Sequence, residues 1–340
     1  MSTDVVCLGE TMVTFLPSQA GRLADVPSFQ RAVGGAESNV ACALAGAGHS
    51  VRWVSRVGRD GFGDHVVEAI AGRGVDVGFV GRDVGRATGV YFRTAGERST
   101  AADGKAEADG LAEVVYYRAG SAASAMSTET VDLAVVDDAR VLHVSGITAA
   151  LSEDCLDLMR LLTGPRPGRP VVSFDVNYRV GLWGAGEALV LLELARGCDL
   201  VFVGEDEAAA AWGVTGGPAG VRAALPEPEV LVVKQGSAGA TAFVGEEAVF
   251  VPALRVEVAG AVGAGDGFAA GFLSATLRGL SVRDRLRHGH LTAAAALSVP
   301  GDVAEPPSRA EADRLAALDD EAWARLRLGP GWNEEKANAS

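Results

Sequence analysis

Two short runs, Val171-Val172-Ser173-Phe174 and Leu231-Val232-Val233, are apolar at nearly every position rather than every second one. A strand with one wet face alternates; a strand covered on both faces does not. They belong to a series of β-rich runs at 4–8, 51–55, 76–80, 140–144, 170–175, 199–203 and 229–233. Helical stretches at 37–47, 61–73, 127–137, 152–163, 186–196, 205–212, 266–278 and 283–298 separate these runs. This alternation predicts an α/β fold, a doubly wound and mostly parallel sheet flanked by helices. Residues 11–34 and 87–118 break the rhythm. Val90-Tyr91-Phe92-Arg93 and Val114-Val115-Tyr116-Tyr117-Arg118 alternate without an intervening helix, which predicts a small, half-exposed antiparallel β-flap. The polar stretch 96–110 between them reads as a mobile loop that closes with the flap over a ligand.

The second informative run is Val262-Gly263-Ala264-Gly265-Asp266-Gly267-Phe268-Ala269-Ala270-Gly271-Phe272. It follows an apolar strand ending near Val258 and leads into an Ala/Gly/Phe-rich helix expected to begin at Asp266. Gly263, Ala264 and Gly265 cannot block a close approach to the backbone, so their amides and that of Asp266 can converge on an anion. A carboxylate there repels a phosphate that is merely bound. It makes sense if it faces a hydroxyl attacking the phosphoryl group held by the amides. The plainer reading is an Asp N-cap after a glycine turn.

Composition narrows the partners. The 340 residues are 48% hydrophobic and carry a formal net charge of −14, which speaks against a broad nucleic-acid or acidic-membrane footprint. Lysine occurs only at 105, 234 and 336, so anionic ligands must be held by a few local cations. Cys7, Cys42, Cys155 and Cys198 lie far apart in apolar stretches and read as reduced core residues. Met1 runs straight into a strand, and no uncharged apolar stretch reaches ~18 residues. The expected location is the cytoplasm.

Two segments together resemble the signatures of the ribokinase-like (PfkB) carbohydrate kinases. One is Gly34-Gly35-Ala36-Glu37-Ser38-Asn39-Val40-Ala41-Cys42-Ala43-Leu44-Ala45 followed by Gly58-Arg59-Asp60-Gly61-Phe62-Gly63; the other is the Gly263–Phe272 run. Tyr116-Tyr117-Arg118-Ala119-Gly120-Ser121-Ala122-Ala123-Ser124-Ala125, Leu142-His143-Val144-Ser145-Gly146-Ile147-Thr148 and Asp175-Val176-Asn177-Tyr178-Arg179 with Leu182-Trp183 are similar to the 2-keto-3-deoxygluconate kinase branch, the last of them resembling fructokinases too. The resemblance implies a kinase domain over 1–305 with lid segments near 11–34 and 87–118, then a C-terminal helix and a frayed tail over 306–340. It also implies ATP and Mg²⁺, a sugar-acid substrate and a homo-oligomer.

The same resemblance distributes roles. Asp266 is implied as base, with Gly263, Ala264 and Gly265 completing the anion hole. Gly34, Gly35, Asn39, Tyr91, Tyr116, Arg118, Ile147, Asp175, Asn177 and Arg179 would bind the sugar. Glu205, Lys234, Gly236, Gly239 and His290 would bind the nucleotide, and Glu207 the metal. The residues themselves allow this. Asn39 and Asn177 can donate and accept, and two arginines suit a carboxylate better than a neutral sugar. They also allow plainer roles. Arg118 and Arg179 can be surface ion-pair partners, Tyr91 and Tyr116 can pack only on the flap, Lys234–Gly239 can be a hairpin turn, and Glu207 can be a solvated helix residue. The chain also departs from the pattern. Gly260 and Ala261 stand where the family usually carries Asp and Pro or Thr, removing an oxygen linked to a monovalent cation beside the anion hole. Gly204 replaces a usual Asn or Ser, and His290 a usual Asn.

Other classes fit less well. No G-x-x-x-x-G-K-[ST] run is present, and no glycine-rich turn follows the first strand with an acidic residue about 20 positions on. A kinase of fructose, ribose or a nucleoside, and a noncatalytic sugar-acid-binding protein, remain as alternatives.

Overall fold

The structure is a computed structural model that describes residues 3–19, 21–94, 114–184, 186–260, 262–299 and 304–333. The loop expected over 96–110 therefore lies outside the described residues, as do 334–340. The first part of the chain runs β1 (Thr3–Leu8), β2 (Met12–Pro17), β3 (Phe29–Gly34), α1 (Ala36–Gly46), β4 (Val51–Gly58), α2 (Gly61–Ala71), β5 (Val80–Asp83), β6 (Val90–Arg93) and β7 (Val114–Tyr117). Next come α3 (Leu133–Asp137), β8 (Ala139–Ser145), α4 (Gly146–Ala149), α5 (Glu153–Thr163), β9 (Val171–Asp175), α6 (Leu189–Arg196), β10 (Leu200–Gly204), α7 (Glu205–Trp212) and α8 (Gly217–Ala224). The last part holds β11 (Val230–Lys234), β12 (Gly239–Val244), β13 (Glu247–Pro252), β14 (Arg255–Val256), α9 (Ala264–Leu277), α10 (Val282–Leu297), α11 (Arg309–Ala316), α12 (Asp320–Arg325) and β15 (Arg327–Leu328).

The main sheet has nine strands in the order β13-β12-β11-β10-β9-β8-β1-β4-β5. From β11 to β5 every neighbouring pair is parallel, while β11–β12 and β12–β13 are antiparallel. Alternate residues of one strand feed two separate cores. Val5 and Cys7 join the cluster under α1, α9 and α10, whereas Val6 and Leu8 join the one under α5 and α6. Burial on both faces is why these strands read as unbroken apolar runs. All four cysteines are free and buried.

Several boundaries differ from the sequence expectation. The strand expected over 76–80 begins only at Val80, because Asp76 Oδ1 accepts the Gly78 amide at 2.9 Å and turns the chain. The helix expected over 127–137 is confined to Leu133–Asp137. Ser127 and Thr130 exchange local hydroxyl bonds of 2.8 and 3.2 Å that compete with a helix. The strand near Val258 is only Arg255–Val256, paired with β15. The hairpin β12–β13 was not anticipated at all.

The flap is a separate four-stranded sheet, β3-β2-β6-β7. It is mixed rather than wholly antiparallel, since β2 and β6 run parallel. One face carries Phe15 stacked on Phe92 at 4.7 Å, with Phe29, Phe62 and Tyr117 edge-on to that pair. The other carries Tyr91 against Tyr116 at 5.4 Å. Past Pro306 the chain forms two helices, not one. Trp323 is buried, donates its indole N–H to the Pro252 carbonyl at 3.0 Å and lies under the Arg287 guanidinium at 4.6 Å.

Candidate active site

The turn after β14 explains how Asp266 is aimed. Gly263 takes φ +77°, the left-handed region that glycine tolerates, and serves as N-cap, so α9 starts at Ala264 and not at Asp266. Asp266 is thus in the first turn, and the N-cap reading of its carboxylate no longer applies. The first amides of this 14-residue helix lack intrahelical acceptors, leaving Ala264, Gly265 and Asp266 N–H groups to face an anion. Asp266 Oδ2 accepts from Asn39 Nδ2 at 2.8 Å. Asn39 lies in the first turn of α1, whose N-cap is Gly35. That one bond spans 227 positions and joins both glycine-led motifs.

Glycines in these motifs do more than open space for ligands. A Cβ at Gly271 would lie 2.3 Å from the His288 carbonyl, and one at Gly267 3.0 Å from that of Thr292. They let α9 lie directly on α10. Likewise a Cβ at Gly35 would meet the Glu10 carbonyl at 2.4 Å, so its smallness serves the approach of α1 to the β1–β2 link.

A second group gathers around Lys234, at the end of β11. Its Nζ donates to both oxygens of Asp175 at 3.0 Å and lies 3.7 Å from where a Cβ at Gly265 would stand. Burial works against the ammonium, but the carboxylates of Asp175, Glu207 and Asp266 outweigh it and hold its pKa above the usual lysine range. Gln235–Gly239 is the β11–β12 hairpin turn, closed by Gln235 N–H to Gly239 O at 2.8 Å, with Gly236 at φ +57°. Gln235 Nε2 also donates to Glu205 at 3.1 Å. Glu207 Oε2 accepts the Gly204 amide at 2.7 Å, and its Oε1 lies 3.9 Å from the Arg179 guanidinium. Arg179 therefore stands beside Glu207. His290 sits in the core, edge-on to Phe268, with Nε2 3.1 Å from the Val251 carbonyl; burial drives its pKa down to about 4.

The third group lies under the flap. Arg118 pairs with Glu10, a buried carboxylate that also accepts from Ser121 Oγ at 2.5 Å. The same guanidinium sits 5.8 Å from the Tyr116 ring centroid. Tyr91 is buried, and Asn177 is the described non-glycine residue with positive φ, at +45°. Strain of that kind persists where surroundings dictate the conformation. Ile147 is the second residue of α4, and its amide donates to Ser145 Oγ at 3.3 Å. Gly34 closes β3. Several buried oxygens at this junction of β1, β2 and α1 have no hydrogen-bond partner: Thr11 Oγ1, Thr14 Oγ1, Glu37 Oε2 and Asn39 Oδ1. Buried polar atoms rarely go unpaired, and four at one junction suit a ligand rich in hydroxyl groups.

Glu10 and Glu37 were not singled out in the sequence. Glu37 Oε1 accepts from the Ser145 amide at 3.1 Å, Ser145 Oγ at 2.7 Å and Thr148 Oγ1 at 2.8 Å. A Cβ at Gly9 would fall 2.1 Å from its Cδ, which accounts for Gly9. Only these distant partners mark Glu37 as interior; its neighbours in sequence do not. Desolvation raises its pKa more than those bonds lower it. A carboxyl whose pKa is raised by folding contributes stability below its unfolded pKa and loses it as pH rises through the folded value. The stability advantage of wild type over Glu37→Gln should therefore shrink as pH rises from about 4 to 8, as thermal denaturation across that range can measure. A gap that widens with pH would mean that Glu37 is held as a stabilised carboxylate.

Among the described residues no helix is long and apolar enough to cross a membrane. The sequence profile described as pfkB family carbohydrate kinase matches residues 2–309. A 2-dehydro-3-deoxygluconokinase of Bacillus subtilis is 34% identical over 325 residues, covering 94% of this chain and 96% of that protein. One of Thermoproteus tenax is 33% identical over 316 residues, covering 92% and 94%. The crystal structure of a PfkB protein from Polaromonas superposes with a TM-score of 0.79 at 33% identity, over 92% of this chain and 99% of that one. The parallel sheet with its separate flap, the meeting of two glycine-led helices at Asn39 and Asp266, and a profile match along nearly the whole chain lead to one conclusion: the protein belongs to the pfkB family of carbohydrate kinases.

Proposed function

We propose that the protein phosphorylates a 2-keto-3-deoxy sugar acid at its terminal hydroxyl, with ATP as phosphoryl donor and 2-keto-3-deoxygluconate as the leading substrate. The observation that carries the chemistry is the Asn39–Asp266 bond, which sets a carboxylate from the glycine turn that opens α9 against the first turn of α1. In this reading the sugar hydroxyl attacks the γ-phosphorus, the bond to the bridging oxygen breaks, ADP leaves and Asp266 takes the proton. The amides of Gly263–Asp266 hold the transferring group. Lys234, kept as an ammonium by its carboxylate neighbours, sits under the same turn.

The sugar side follows from the orphaned oxygens and the arginines. Thr11, Thr14 and Asn39 meet hydroxyl groups, and Tyr91 with Tyr116 covers the carbon skeleton. Arg118 takes the carboxylate, and Arg179 adds a second cation from the Glu207 side. Asn177, beyond Asp175 at the end of β9, offers a further amide. Among the described residues no cluster of three or more His, Cys, Asp or Glu side chains is disposed to hold a metal ion. Mg²⁺ is commonly held by one or two carboxylates with waters and substrate phosphates, and the Glu207 carboxylate fits that duty through water. When bound, the ion neutralises charge on the phosphates.

A neutral-sugar kinase is the second reading, favoured by one observation: the Arg118 guanidinium already has a carboxylate partner in Glu10. A coupled kinase assay over 2-keto-3-deoxygluconate, 2-keto-3-deoxygalactonate, fructose and ribose separates the two. The sugar acids should be used with a kcat/KM at least tenfold above fructose. Arg118→Ala and Arg179→Ala should each raise KM for the acid by ~10–100-fold, the loss of a charge-assisted bond of ~1.5–3 kcal/mol, and change neutral-sugar activity far less. Turnover of fructose alone would overturn the sugar-acid reading.

A further inference from the structure

We infer that Glu10 is a positioning residue that fixes Arg118 for carboxylate recognition, and that the two act as a single unit. The inference rests on the sugar-acid reading above. Glu10 lies in the two-strand hinge between β1 and β2, 3% exposed, in a chain where a buried acid needs a partner. Its partners come from the far end of the flap. Arg118, just past β7, supplies the guanidinium, and Ser121, three residues on, donates to Oε1 at 2.5 Å. A third contact closes the arrangement at the entry to β6. A Cβ at Gly89 would lie 3.1 Å from Glu10 Oε1 and 2.9 Å from Met12 Cγ, so only glycine leaves room there. One carboxylate thus gathers the points at which three flap strands leave the body of the protein.

The geometry says what that gathering does for Arg118. A guanidinium offers five N–H donors in a planar fork. Here one terminal nitrogen is committed to Glu10, the ring of Tyr116 lies 5.8 Å away, and Nε–H is buried without a partner. The side chain is 11% exposed. Glu10 therefore uses one corner of the fork and leaves a dry donor for an incoming anion. The pairing also cancels most of the local charge, so selection of a carboxylate depends on where the fork points more than on net positive potential. A competing view has Glu10 blocking Arg118 until an acid displaces it. The unpaired Nε–H favours orientation over blockage, because a blocking carboxylate would take the fork side-on through two donors.

A double-mutant cycle with purified enzyme tests this. Glu10→Gln should raise KM for 2-keto-3-deoxygluconate by roughly tenfold, with kcat and the KM for ATP within about twofold. Ser121→Ala should shift the same KM in the same direction by less. In an Arg118→Ala background, Glu10→Gln should add little, because both changes remove the same unit. A merely structural role would make the two losses multiply and would raise the KM for ATP as well; that result overturns the inference. A fall in KM on Glu10→Gln overturns it too, by showing that Glu10 competes with substrate. Wild-type enzyme with no activity on any sugar acid overturns the sugar-acid reading and this inference with it. Wild-type activity on the acid with a multiplicative cycle removes only the role of Glu10.

Discussion

Asp266→Asn lowers kcat by roughly 10²–10⁴-fold, the usual worth of a general base, while KM for ATP and sugar stays within a few-fold. Asparagine keeps the shape of the side chain, and its amide oxygen can still accept from Asn39 Nδ2, now at 2.8 Å from Asp266 Oδ2. Helix α9 does not depend on the carboxylate, because Gly263 is its N-cap. What disappears is the ability to take the proton of the attacking hydroxyl. Phosphoryl transfer has a loose transition state in which most of the barrier is lowered by positioning and charge. In the proposed mechanism Asp266 both aims the hydroxyl and accepts its proton late. Steady-state kinetics with a check of nucleotide binding measures this. Retention of more than a few per cent of wild-type kcat would reduce Asp266 to a structural hydrogen-bond acceptor.

Lys234→Met destabilises the fold by about 3 kcal/mol, the low end for breaking one side of a buried ion pair. The lysine side chain keeps 19% exposure while that of Asp175 keeps 3%. Methionine fills the volume but leaves Asp175 buried without its two 3.0 Å donors, with Glu207 and Asp266 adding negative charge nearby. The expected result is a fall in Tm of several degrees, since each kcal/mol moves Tm by roughly 2–4 °C in a large domain. Lys234→Met combined with Asp175→Leu should recover much of the stability, because removing both charges ends the penalty. Activity should not return, since the ammonium under the Gly265 turn is still missing. A Tm unchanged by the single substitution would mean that water reaches Asp175 and screens it.

Much of the fold was legible because burial leaves a period in the sequence. Runs such as Leu231-Val232-Val233 lie between two cores and read as central strands, and Tyr91 and Tyr116 alternate as flap residues do. What escaped was decided by side-chain bonds over short range. Ser127 and Thr130 turn the chain where apolar spacing suggested helix, and Asp76 delays β5. At the site, the glycine-led motifs announced Asn39 and Asp266, yet nothing local revealed that Asn39 Nδ2 would meet Asp266 Oδ2. Arg118 drew notice as a cation. Its partner Glu10 did not, because an acid after Leu8-Gly9 looks like any exposed turn residue until the flap folds over it.

The contact between α9 and α10 has a mechanical consequence. With Gly267 and Gly271 seated against the carbonyls of Thr292 and His288, the helix that starts at the Gly263 turn has little room to slide or roll against α10. If this turn holds the phosphoryl donor, as proposed above, the donor side is a fixed anvil. In the proposed mechanism the travel that brings nucleophile and phosphorus into line then falls to the acceptor side, where the flap meets the body through its strand hinges and through contacts such as Phe15 on Phe62. Alignment in such a machine is set by one stationary surface and one moving one. Its errors in aim should come from the hinges, whereas a side chain added at Gly271 would shift the anvil for every acceptor alike.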